Sequence, residues 1–181
     1  ISFHVQFTAN EGTWGSDFSV PTGSTSSATT TYTYPGPPVA VPDNNPAGAT
    51  APIVVTDVKE ILDVNVLVNI AHVNVGDLAL YLVGPNGAEI PLALNRGGTG
   101  DNFTNTLFDD GAATPISAGV APFTGSFRPE VSLSALNGIL SNGTWTLKVA
   151  DTRSGDSGKL QGWGLQICPP GGPTPCEPPG N

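Results

Sequence analysis

The chain has 181 residues, enough for one sizeable sandwich domain or a domain with an appended piece. Fifteen acidic against six basic residues leave a formal net charge of −9, a surface that repels phosphate backbones and anionic lipid and so disfavours nucleic-acid and membrane-surface roles. The 23 Gly and 18 Pro, with no sustained helical period and no apolar run long enough to span a bilayer, predict an all-β chain.

Residues 1–23 alternate like strands, with Phe3, Val5 and Phe7, then Phe18 and Val20, around a turn at Gly12 and Gly15. They are expected to form an extra N-terminal β segment, similar to the end of a preceding module. The chain opens inside this segment without Met or a visible signal peptide, so it reads as a mature or excised piece. Residues 24–40 are Ser/Thr/Pro-rich and are predicted to be a linker.

Residues 41–167 form one dense β region. From Leu62 to Ile70 every even position is apolar, while Asp63, Asn65 and Asn69 take odd ones, the pattern of a strand with one buried face. Leu78, Leu80 and Leu82 continue it, and Gly84-Pro-Asn-Gly87 marks a turn before Ile90, Leu92 and Leu94. The stretch from Asn95 to Thr114 reads as a long loop. Residues 131–137 suit one helical turn. Trp145, Leu147 and Val149 alternate with Thr144, Thr146 and Lys148, and Trp163, Leu165 and Ile167 alternate in a last strand, which makes both Trp residues core candidates. The whole predicts a sandwich or jelly roll.

Residues 168–181 are a Pro/Gly-rich tail holding both cysteines. Cys168 and Cys176 lack the further ligands a metal site wants and any catalytic partner, so a local disulfide is expected, in keeping with an oxidising compartment.

Several stretches are similar, in order and spacing, to one family. They are Val41-Pro-Asp-Asn-Asn-Pro46, His72-Val-Asn-Val-Gly-Asp-Leu78, Leu82-Val-Gly-Pro-Asn-Gly87, the segment from Asp101 to Asp110, Ala121-Pro-Phe-Thr-Gly-Ser-Phe-Arg-Pro-Glu130, Gly143-Thr-Trp-Thr-Leu147, and Asp151 to Gly158 running into Gly162-Trp-Gly-Leu165. Residues 41–167 thereby resemble the P domain (P/Homo B domain) of subtilisin-like proprotein convertases and related bacterial exported proteins. The resemblance implies a jelly-roll-like sandwich of about eight strands. Such a module is non-catalytic and accessory to a secreted protease or multidomain exported protein, supporting folding, stability or substrate engagement. Its expected partner is the catalytic domain or a neighbouring module of the parent chain, and a monomer outside the cell is expected.

The resemblance also implies calcium as a stabilising cofactor. Calcium takes about six to eight oxygens, and Asp101, Asp109 and Asp110 on the long loop, with Asp77 and Asp43, are the candidate ligands, Asn44, Asn102 and Asn105 being possible amide donors. The alternative is that these side chains cap turns by bonding local backbone.

A second motif competes. Gly155-Asp-Ser-Gly158 matches the nucleophile motif of chymotrypsin-like proteases, and His72, Asp101 and Ser157 follow their triad order. A four-residue motif between two strand patterns is also an ordinary Gly/Asp turn, so no catalysis is expected, with Ser157 in an exposed turn remote from His72. By strand parity His72 faces inward with Ile70, as a structural histidine. A carbohydrate- or matrix-binding sandwich is the remaining alternative. It would need an exposed aromatic row, for which only Trp14, Tyr32, Tyr34 and Tyr81 are available.

Overall fold

Alternating apolar residues place most of the strands where periodicity predicts them. The computed structural model describes residues 2–9, 12–19 and 29–170, with side chains from residue 29 onward. Its strands are β1 (Ser2–Ala9), β2 (Gly12–Ser19), β3 (Thr30–Thr33), β4 (Val39–Val41), β5 (Asn45–Val55), β6 (Asp63–His72), β7 (Leu78–Val83), β8 (Glu89–Leu94), β9 (Phe103–Phe108), β10 (Phe123–Phe127), β11 (Gly143–Asp151) and β12 (Gly158–Cys168). The chain is all-β.

β1 and β2 pair antiparallel from Ser2↔Ser19 to Ala9↔Gly12 and form a two-stranded sheet of their own. The other ten strands make two sheets that sandwich the core. One runs β10-β9-β6-β12-β3, with β4 also paired to β12, and the other runs β5-β11-β7-β8. Inward residues of both sheets meet in one cluster that includes Val64, Val66, Val68, Ile70, Trp145 and Trp163. Both indoles are core residues, as expected, and each N–H finds a carbonyl: Trp145 Nε1 donates to Ser141 O at 2.8 Å and Trp163 Nε1 to Ala51 O at 3.1 Å. Leu133–Leu136 forms the expected single turn, a 3-10 helix.

Three departures have physical reasons. Residues 30–40, predicted as part of a linker, supply β3 and most of β4, which raises the expected eight strands to ten. Thr30–Thr33 pairs with β12 at Gly164–Ile167, and Tyr32, Tyr34 and Val39 pack against the core, so three apolar residues outweigh the Ser/Thr/Pro composition around them. The predicted loop from Asn95 to Thr114 holds β9, hidden because Phe103, Thr106, Leu107 and Phe108 are all buried and do not alternate. Its Phe103 stacks on Phe123 of the parallel neighbour β10, with ring centroids 4.8 Å apart. Leu62, even-numbered like the buried residues of β6, precedes that strand and is 50% exposed.

β12 carries a bulge. Its register against β6 steps from Leu160↔Ile70 to Gly162↔Asn69, leaving Gln161 as the extra residue. That step lets Leu160 and Trp163, three apart, both face the core.

Candidate functional site

One pole of the sandwich gathers the ends of β6, β11 and the start of β12, and with them most of the residues singled out in the sequence. β6 ends on His72 and β11 on Asp151, and both side chains are wholly buried, with Nε2 3.2 Å from Asp151 Oδ2. The Asn74 N–H donates to His72 Nδ1 at 3.1 Å. A backbone N–H can only donate, so Nδ1 is the acceptor, and the ring proton sits on Nε2, pointing at Asp151. The second carboxylate oxygen, Oδ1, accepts from the Arg153 N–H at 3.0 Å. The pair is thus closed on itself, every polar atom used.

That closure decides the triad. His72, Asp101 and Ser157 do border one surface depression of about 340 Å³, also lined by Asn102, Gly158 and Lys159. Ser157 lies in an exposed connection as expected, but it is not remote from His72, because the next residue, Gly158, pairs with His72 across the sheet. The carboxylate on His72 is Asp151 rather than Asp101, and neither ring nitrogen is left to accept a proton from Ser157. The Gly of the motif has a packing reason. A Cβ on Gly158 would lie 2.4 Å from His72 Cδ2 and 2.6 Å from Ala71 O. Sequence reasoning missed Asp151, although the signal was present: it continues the inward odd positions Trp145, Leu147 and Val149, and His72 is inward by the same logic.

The expected calcium ligands do not converge. Asp101 and Asp109 flank β9, about 25 Å of strand apart at ~3.3 Å per residue. Asp109 Oδ1 accepts from the Gly111 N–H at 2.7 Å, closing a turn. Asp110 accepts from the N–H groups of Leu133 (3.0 Å) and Ser134 (2.9 Å) and from the Ser132 hydroxyl, and so holds the 3-10 turn. At the His72 pole both oxygens of Asp43 accept from the Gly155 N–H, at 3.1 and 3.2 Å. Asp77 is buried and faces Arg153 Nε at 3.6 Å, while Asp101 is exposed. Among the described residues no three His, Cys, Asp or Glu side chains are placed to share a metal ion. Asp43, Asp109 and Asp110 thus bond backbone N–H groups, while Asp77 faces a guanidinium.

Nor do the aromatic candidates form a row. The Tyr32 hydroxyl donates to Asp57 Oδ2 at 2.8 Å, and burial, then that bond, push its pKa up to about 12. Tyr34 packs against the core, and Tyr81 lies on the other sheet under Lys148 Nζ, 4.9 Å from the ring centroid. The Trp14 side chain lies outside the described residues. Cys168 is disulfide-bonded, and its expected partner Cys176 lies outside them as well. No helix of the described residues is long and apolar enough to cross a membrane.

Residues 61–167 match the family described as proprotein convertase P-domain. The chain is 35% identical over 130 residues to the transglutaminase-activating metalloprotease of Streptomyces mobaraensis, covering 70% of this chain and 14% of that protein. It is 32% identical over 127 residues to leupeptin-inactivating enzyme 1 of Streptomyces exfoliatus, covering 69% and 23%. To the calcium-dependent protease of Trichormus variabilis it is 28% identical over 130 residues, covering 70% and 17%. The chain therefore spans less than a quarter of the length of each of these relatives.

Proposed function

We propose that this chain, which belongs to the proprotein convertase P-domain family, is the non-catalytic accessory module of an exported protease. Its work is to support the folding, stability or substrate engagement of the catalytic domain beside it. The observation that carries this reading is the family match over residues 61–167, set against relatives named as different kinds of enzyme. A segment shared by a metalloprotease and by a calcium-dependent protease is not the part that defines their chemistry. The closed His72–Asp151 pair supports the same reading, since it leaves Ser157 without a base.

Export is supported by the disulfide at Cys168. We take Cys176 as its partner. Intact-mass measurement after alkylation should find no free thiol in the non-reduced protein, and two alkylated thiols would refute the pairing. Calcium stabilises the module or its parent protein, a reading supported by the similarity to a calcium-dependent protease.

The test of the accessory role is deletion of residues 30–168 from the parent reading frame. Secreted protease activity should fall through loss of folded enzyme or of its lifetime. The isolated chain should hydrolyse no ester or peptide and should not react with a serine-directed phosphonate. Undiminished activity from the deleted parent would sink the proposal.

A further inference from the structure

The outer face of the six-stranded sheet carries a depression of about 510 Å³, and Ala71 and Asn102 border both it and the smaller depression at the His72 pole. Its size falls within the range of ligand clefts, about 300–1,000 Å³. It opens where strand pairing is broken twice, at the Gln161 bulge of β12 and at the register shift between Val68 and Ile70 in the β6–β9 ladder.

Four carboxamides line it: Asn69, Asn102, Asn105 and Gln161. Two are held in one orientation. Asn69 Oδ1 accepts from the Asn105 N–H at 2.7 Å, and Asn102 Oδ1 accepts from the His72 N–H at 3.0 Å. Because backbone N–H groups only donate, each oxygen is fixed as the acceptor, and each Nδ2 keeps two donors with no acceptor among the described residues. Asn102 and Asn105 reach these positions in the left-handed region, at φ 65° and 46°, a backbone state that costs free energy for a residue with a Cβ. The sheet thus holds preset amide donors around a floor that includes Ala71 and Gly162, where small side chains allow close approach.

We propose that this depression docks an extended, uncharged polypeptide segment of a partner protein, held through hydrogen bonds from the carboxamides to its main-chain carbonyls. Asn69 and Asn102 supply donors to carbonyls, and the Asn105 and Gln161 carboxamides can also accept, which matches the alternating groups of a peptide backbone. The lining of this depression carries no charged side chain, and its one aromatic ring, Phe103, is buried, so it offers neither an ion partner nor a sugar-stacking platform. The inference rests on the accessory-module reading and names what such a module would grip.

The test uses the purified chain and a short, end-capped peptide of Ser, Thr, Val and Gly, followed by NMR. Millimolar peptide should shift the side-chain amide signals of Asn69, Asn102 and Gln161. Asn69→Asp and Asn102→Asp retain the oxygen that accepts the backbone N–H but lose the donors, so they should weaken binding by about tenfold or more without lowering the melting temperature. Gln161→Glu, on an exposed bulge residue, should weaken binding too and does not depend on either cap. Absence of shifts with peptide would overturn the proposal, as would shifts with cellohexaose but not with peptide, or variants that bind the peptide as wild type does. The parent-deletion experiment uses none of these variants, so a failure here leaves the accessory role standing.

Discussion

Asp151 and Asp110 both accept more than one hydrogen bond, yet they sit in opposite surroundings. Asp151 has no exposed surface and faces a buried imidazole, while Asp110 lies in a partly exposed turn and gathers N–H groups from Leu133 and Ser134. Their chemistry is the same, and the difference lies in what can replace them. Water can reach the turn if Asp110 is lost, whereas the side chains of His72 and Asp151 have no exposed surface. A buried acceptor is therefore costly to remove, because the donors it served are left unpaired.

The largest expected effect sharpens that contrast. Asp151→Ala should destabilise the fold by about 2–5 kcal/mol in urea unfolding, because His72 Nε2–H and the Arg153 N–H both lose their acceptor, at about 1–3 kcal/mol for each buried donor left unpaired. Asp151→Asn retains the shape and an acceptor oxygen and should cost less. A loss under about 1 kcal/mol in Asp151→Ala would show that water enters the pole. Asp110→Ala comes next, at about 1–3 kcal/mol, the range for losing hydrogen bonds to a charged group. The loss should be equal in EDTA and in millimolar calcium. A loss seen only with calcium would return Asp110 to metal binding and erase the contrast.

Tyr32 and Asp57 fall between the two cases, partly shielded and bonded at 2.8 Å. The phenol titrates near 10 in the unfolded chain and at about 12 in the fold. Between those values the unfolded chain gives up its proton while the folded one keeps it. The stabilising contribution is therefore complete below pH 10 and is lost as pH rises to about 12. Tyr32→Phe should flatten that part of the stability profile, and an unchanged slope would assign it to other groups. The smallest effect is expected from Ser157→Ala, within about 0.5 kcal/mol, since the side chain is exposed and enters no bond with His72. A larger change would mean that the serine supports the pole after all.

Parity made the inward faces of β6, β7, β11 and β12 legible in the sequence, and placed His72 correctly. It failed wherever a strand is buried on both faces or broken by a bulge. β9 escaped notice because Phe103 and Leu107–Phe108 do not alternate around Thr106, and Gln161 became the extra residue of a bulge that one sequence does not announce. Composition misled at residues 30–40, where a Thr-Tyr-Thr strand is held by pairing with β12, more than 120 residues away in the chain. Asp101 and Asp109 are close in sequence and far apart in the fold. A strand between Asp101 and Asp109 separates them, and only its existence, not the residue types, could have revealed that.

β12 is paired with β6 along one side and with β3 and β4 along the other. The strand made last is therefore the keystone between the earliest-made strands of the sandwich, and Trp163 reaches Ala51 across 112 positions of chain. A growing chain emerges at roughly 5–20 residues per second, and until Cys168 is free no intermediate can join β3 and β4 to β6. Closure of such distant ends places the domain among high-contact-order β folds that take about milliseconds to seconds to fold. The incomplete chain meanwhile leaves one edge each of β3, β4 and β6 without its partner strand, open to pairing with any other strand that meets it first.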